Sequence, residues 1–181
     1  MKKITLVTTN KRKLKEAKLG CELYGIKVVQ AELEFDEIQS PDFIKIDKNK
    51  SMQAYNIVNE PVVVTDTAWN IPALNGFPGA YMKEVARWLE ADDFLRLLSN
   101  KKDKRICFIE SICYKDSNTT KLFSKEYWGK IVDPRIKTGI SIEQIAEFNG
   151  HTLSEKLDNG LTSHLPQDYV WYEFAQWFSK K

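Results

Sequence analysis

Hydroxyls, an amide and amines crowd one short stretch near the start of this sequence: Thr8-Thr9-Asn10-Lys11-Arg12-Lys13-Leu14-Lys15-Glu16. The stretch lies where a β-branched apolar run ends and a helical pattern begins. The first N–H groups of a helix lack intrahelical partners and carry partial positive charge, so they attract phosphate. Thr8, Thr9, Asn10 and Lys13 add donors at the same point, without a glycine-rich loop. The same residues also suit a capped, solvated basic helix. A second cluster is Glu34-Phe35-Asp36-Glu37-Ile38-Gln39. Paired loop acids suit Mg²⁺, which takes oxygen ligands and bridges them to phosphates. On their own they equally describe a solvated acidic turn. A third, Val62-Val63-Val64-Thr65-Asp66-Thr67, sets an acid at the C-terminal end of an interior strand. A carboxylate there is costly without a partner, and open α/β sheets bind ligands at that end. Asp66 thus points to metal binding or catalysis, against a plainer role in capping the next turn. Lys50, on the helical segment before this strand, gains a function only if phosphates lie close to it.

These groups need elements to position them. Ile4 to Thr8 reads as a buried strand. Lys11 to Tyr24 follows as a helix with Leu14, Ala17, Cys21 and Tyr24 on one face. Val28-Val29 marks a second strand. Ser40-Pro41 reads as a helix cap with proline in the first turn, opening a helix that runs to Val58. Pro61 to Val64 is a strand, and Ile71 to Gly79 a loop. Short helices are predicted over Tyr81–Leu89 and Asp92–Leu98. Strands follow over Arg105–Tyr114 and Lys121–Trp128, around an Asp116-Ser117-Asn118 turn. Gly129 to Arg135 continues the sheet, and Gln167 to Phe178 forms a terminal helix. Strands alternating with helices, then a hairpin, predict an α/β domain with a mixed sheet.

Composition narrows the function classes. The chain has 181 residues and 43% hydrophobic content, enough for the core of a single domain over 1–181. A net charge of +2 argues against a general nucleic-acid binder. Three cysteines without CxxC spacing fit small buried apolar groups, and neither a disulfide framework nor a zinc site. No stretch matches a signal peptide or a membrane span, so cytoplasmic residence is expected.

Read in order, the segments resemble the inosine triphosphate pyrophosphatase family. The matches are Thr8, Asn10, Lys13 and Glu16 of a Thr-x-Asn-x-x-Lys-x-x-Glu motif, Glu37-Ile38-Gln39, Lys50, and Pro61 to Thr67. Ala73 to Tyr81, Gly129 to Arg135 and Ser163-His164 complete the set. The resemblance implies an elongated mixed sheet flanked by helices, two lobes with a central cleft, and a cytosolic homodimer. It implies Mg²⁺-dependent hydrolysis of a non-standard purine nucleoside triphosphate, such as ITP, dITP or XTP, to a monophosphate and pyrophosphate. Asp66 and Lys50 would be catalytic. Thr8, Thr9, Asn10, Lys13, Thr67, Glu143, Ser163 and His164 would bind substrate, and Glu37 and Asp66 would face the metal.

Three departures stand out. Thr65 occupies a position where the family carries a further acid, for which Glu34 or Asp36 are possible substitutes. Counting on without gaps from Arg135, Ile140 to Gln144 fall where the family has an aromatic base platform, with Glu143 keeping an acceptor. Leu165 follows Ser163-His164 in place of arginine, and Lys156 is a possible stand-in for a family lysine. The phosphate half is retained and the base half rewritten, which predicts altered base specificity, with Phe148, His151, Tyr169 or Trp171 as a new stacking surface. A Maf-like pyrophosphatase shares the fold class. From a different class, a non-catalytic nucleotide-binding protein remains open, as does an interaction module using the aromatic tail.

Overall fold

Strand β1 (Lys3–Val7) buries Ile4, Thr5, Leu6 and Val7. A strand with no solvent face must be covered on both sides. In the computed structural model, which describes residues 2–160 and 166–181, β1 pairs in parallel with β2 (Lys27–Ala31) and β3 (Val62–Asn70). Because side chains alternate across a strand, the apolar run of β3 splits by parity. Val63 joins Ile4 and Leu6 under helix α1 (Lys11–Glu22) and the terminal helix, whereas Val62 and Val64 join Val7 and Ala54 under helix α2 (Phe43–Val58).

Beyond β3 come a 3₁₀ turn (Pro72–Leu74), the short strand β4 (Pro78–Gly79), and helices α3 (Met82–Val85) and α4 (Ala91–Leu97). The long strands β5 (Arg105–Lys115) and β6 (Thr120–Ile131) meet at a turn closed by Asp116, whose Oδ1 accepts the N–H groups of Asn118 and Thr119. Then follow α5 (Ser141–Ile145), β7 (Ala146–Phe148), β8 (His151–Thr152), α6 (Leu153–Asp158) and α7 (Val170–Lys180). The sheet is mixed, with hydrogen-bonded order β2-β1-β3-β5-β6-β7-β8 and β4 paired antiparallel to β3.

The described chain forms two compact units. The first holds the chain up to Asp66, Glu110–Lys125 and α7. Its α1–α7 contact depends on Gly20, where a Cβ would sit 2.5 Å from the Trp171 Cβ. The second holds Thr67–Ile109 and the chain from Glu126 through α6, around a core that includes Trp69, Phe94, Ile106, Phe108, Ile142 and Ile145. All three cysteines are buried and free. Among the described residues no helix is long and apolar enough to cross a membrane.

Several boundaries differ from the sequence reading. Asp42, not Ser40, caps α2: its carboxylate accepts the Ile44 N–H at 3.0 Å, and Pro41 lies ahead of the helix rather than in its first turn. Strand β3 runs on to Asn70, so Asp66 sits within it rather than at its end. The loop 71–79 contains a 3₁₀ turn and a strand, and α7 begins at Val170. The elements from α5 to α6 were not anticipated, because each is too short to show a period.

Candidate functional site

Four charged side chains of the first unit meet in alternating sign: Lys13, Asp66, Lys50 and Glu37. Each comes from a different element. Lys13 stands in the first turn of α1, whose start is set by Asn10. The Asn10 amide oxygen accepts the Arg12 and Lys13 N–H groups at 2.9 and 3.3 Å, an Asn cap of the ordinary kind. Thr8 Oγ accepts the Asn10 N–H at 3.1 Å and fixes the turn between β1 and α1. Thr9 is exposed beside it. The Lys13 side chain then crosses to β3, where its Nζ donates to the Thr65 carbonyl at 3.1 Å and lies 3.9 Å from Asp66 Oδ1.

Lys50 approaches from α2. Its Nζ stands 2.5 Å from Glu37 Oε1 and 3.7 Å from Asp66 Oδ2. Glu37 belongs to the irregular segment between β2 and α2, which Gln53 ties to α2 by donating to the Asp36 carbonyl at 3.0 Å. Ser111 of β5 donates to the Asp66 carbonyl at 3.4 Å. Thr67, next along β3, is half-buried.

The two lysines respond differently to this setting. Burial lowers the Lys13 amine below its ordinary value, with Asp66 opposing and Lys50 adding to the fall. Burial also works against Lys50, but Asp66 and the Glu37 contact outweigh it, and the Lys50 amine is raised. A third acid lies beneath. Asp47 of α2 is fully buried, no described residue meets its oxygens with full hydrogen-bond geometry, and burial pushes its carboxyl up to about 7 against the opposing pull of the Ser111 hydroxyl. The sequence reading missed it. The signal was present, since Asp47, Ser51, Ala54 and Val58 recur at helical spacing and Asp47 therefore shares the inward face. Glu110, buried on β5, also acts on Lys13.

Two neighbouring carboxylates suit a divalent cation. Glu37 and Asp66 already share one cation, the Lys50 ammonium, and Mg²⁺ characteristically takes one or two carboxylates and completes its shell with phosphate and water oxygens. Glu34 and Asp36 are exposed on the same segment. Among the described residues no three His, Cys, Asp or Glu side chains converge on a single point.

The residues expected to read a base fare unevenly. Glu143 is in the first turn of α5, in the second unit, and its Oε2 accepts the Ile140 N–H at 3.0 Å, so it closes that helix start. Ile142 is fully buried in that unit's core. Phe148, Tyr169 and Trp171 are core residues as well, which corrects the expectation that they form a stacking surface. His151 is exposed. Lys156 is buried, and burial lowers its amine. Ser163, His164 and Leu165 lie outside the described residues.

The model of the Ham1 family matches residues 4–156. The chain belongs to the Ham1 family. Among its relatives, the dITP/XTP pyrophosphatase of Methanosarcina mazei is 32% identical over 180 residues, covering 98% of both chains. The inosine triphosphate pyrophosphatase of Candida glabrata is 34% identical over 151 residues, covering 80% of this chain and 79% of that one. Two solved Ham1 proteins share the fold. The one from Coxiella burnetii has a TM-score of 0.79 at 18% identity, with full coverage of both chains. The one from Staphylococcus aureus has 0.77 at 23%, covering 99% of this chain and 100% of that chain. The resemblance read from the ordered motifs is thus a family membership, and the mixed α/β sheet flanked by helices is the Ham1 fold.

Proposed function

We propose that this Ham1 protein hydrolyses a nucleoside triphosphate to a monophosphate and pyrophosphate, with Mg²⁺, and that its substrates are non-standard purine nucleotides such as ITP, dITP and XTP. The observation that carries the reading is the Lys13–Asp66–Lys50–Glu37 array beside the Asn10-capped start of α1. It sets two ammonium groups and two carboxylates at one helix N-terminus, which is what a metal-bound polyphosphate requires. The names of the relatives agree with it.

In the reaction, water attacks the α-phosphorus, the bond to the bridging oxygen breaks, and pyrophosphate leaves with the monophosphate as the other product. Such a reaction needs charge neutralisation and an aligned water more than covalent help. Lys13 and Lys50 neutralise the phosphate oxygens. Thr8, Thr9 and Asn10 position the tail by hydroxyl and backbone contacts, and Thr67 adds a hydroxyl after Asp66. Asp66, held between the two ammonium groups, orients the attacking water by accepting its hydrogen. Glu37 and Asp66 would hold the Mg²⁺, which would supply charge to polarise the phosphate and acidify a coordinated water.

Base selection is a separate matter, and Ile142 bears on it. Its side chain is packed in the core of the second unit, so no aromatic or apolar platform stands at that position. We therefore place base specificity away from the strict purine-reading pattern, with Glu143, Ser163 and His164 as its remaining polar candidates. A panel of ITP, dITP, XTP, GTP, ATP and pyrimidine triphosphates, assayed with Mg²⁺ for pyrophosphate release, tests both statements. Release from none of them rejects the enzyme reading and leaves a nucleotide-binding protein. Strong exclusive preference for ITP and XTP rejects altered specificity. The reading also carries a homodimer in the cytoplasm, which light scattering on the purified protein checks for the oligomer.

A further inference from the structure

Helix α2 spends an inward-facing position on an acid. Asp47 is 0% exposed, shares its face with the buried Ser51 and Ala54, and has no cationic partner in contact among the described residues; the Ser111 hydroxyl is the polar group that acts on its carboxylate by hydrogen bonding, without reaching full hydrogen-bond geometry. A buried acid without a contacting cation weakens a fold, so its place here calls for another use. Its surroundings suggest one. Lys50 is one helical turn further along the same helix, where side chains three apart are neighbours. The other groups acting on Asp47 are Asp66 of β3, Ser111 of β5 and Lys13 of α1, all members of the array or bound to it.

Lys50 depends on two visible anions, Glu37 at 2.5 Å and Asp66 at 3.7 Å. Glu37 sits on an irregular segment with 41% of its side chain exposed. Both anions are also the carboxylates assigned above to the cation. A divalent ion held by them would compete with the ammonium for both. Asp47 differs in both respects. It is rooted in the same helix as Lys50, and solvent does not reach it.

We propose that Asp47 is a positioning residue acting through Lys50: a buried carboxylate, anchored in the same helix, that in its ionised form holds the Lys50 ammonium at the phosphate site when Glu37 and Asp66 turn to the metal. This rests on the function proposed above for the Lys13–Asp66–Lys50–Glu37 array.

The test is a double-mutant cycle of Asp47→Asn and Lys50→Met, read in two ways at pH 8. The first reading is thermal stability, which does not depend on activity. Lys50→Met strands Asp47 and lowers Tm by several degrees. Adding Asp47→Asn recovers at least about half of that loss, because coupled sites are not additive. Asp47→Asn alone leaves Tm unchanged or raises it. The second reading is steady-state kinetics. Asp47→Asn lowers kcat about tenfold or more in the wild-type background and less than about twofold when Lys50 is already Met. Asp47→Ser replaces Asp47→Asn if the latter does not fold. Equal kinetic cost in both backgrounds, or a Lys50→Met loss of Tm that Asp47→Asn does not repair, overturns the proposal. If the wild-type protein releases no pyrophosphate from any triphosphate, the proposed function falls, while the stability cycle still decides whether Asp47 acts on Lys50.

Discussion

Asp66→Asn probes the array at its centre. The substitution keeps the side-chain shape and removes one charge that faces two ammonium groups, Lys13 at 3.9 Å and Lys50 at 3.7 Å. At an effective dielectric of about 20, each pair attracts by about 4 kcal/mol before the cost of desolvation. That cost cancels much of the attraction, and a fully stranded buried charge loses about 3–5 kcal/mol. Here neither lysine is fully stranded. Lys50 keeps Glu37, and Lys13 keeps the Thr65 carbonyl. A net loss of about 1–3 kcal/mol is expected, which in a chain of this size lowers Tm by about 3–10 °C. Catalysis suffers more if Asp66 has its proposed role of orienting the water; kcat then falls by about 10²–10⁴-fold. Pyrophosphate release measured through a coupling enzyme gives the rate, and differential scanning fluorimetry gives Tm. A variant that retains more than about a third of wild-type kcat refutes the role assigned to Asp66. An unchanged Tm refutes the claim that its charge holds the two lysines.

Three further outcomes follow from buried groups. Burial, with the Asp66 charge adding to it and Ser111, Lys50 and Lys13 opposing, raises Asp47 from an ordinary 3.8 to about 7. Between those values the folded chain keeps a proton that the unfolded chain has released, so stability falls as pH rises through the window and the loss is complete above it, amounting to at most about 4 kcal/mol. Urea unfolding from pH 4 to pH 8 should show this decline in the wild type and lose it in Asp47→Asn; parallel curves would contradict the assignment. Gly20→Ala places a methyl 2.5 Å from the Trp171 Cβ, and overpacking of about 1–3 kcal/mol outweighs the gain of about 1 kcal/mol in helix propensity. Its urea midpoint should drop, and a rise would show that α7 gives way freely. Burial pushes the Cys21 thiol up to about 12 and Cys107 to about 11. A chromogenic disulfide reagent at pH 8 should therefore react slowly with the native protein and release three thiols only after denaturation; a fast native reaction would mean that the thiols are accessible.

Much of the setting of Lys13 and Asp66 was legible because its determinants are local. Asn10 caps a helix two and three residues on, and an N-cap followed by an amphipathic run is written within one turn of sequence. The unbroken apolar run Val62-Val63-Val64 likewise declares a strand covered on both faces. Boundaries were harder. Asp42 and Ser40 are both competent caps, and only the path of the chain decides between them. The α5–α6 stretch was opaque, since its elements span only two to six residues each. Counting through it without gaps assigned Glu143 to base recognition, whereas the folded chain also uses its carboxylate to close the start of α5.

By itself, then, the sequence determined the family, the mixed α/β architecture and the identity of the charged residues, because ordered motifs and side-chain periodicity are properties of neighbouring residues. It did not determine which charges meet. Lys13 reaches the carbonyl of a residue 52 positions away, and Lys50 stands between a loop acid and a strand acid. The strength of a charge pair depends on distance and on exclusion of water, and both arise only when α1, α2 and β3 pack together. Asp47 is the sharpest instance: one more acid on a charged helix in the sequence, and in the fold a sealed carboxylate one helical turn from the lysine of the site.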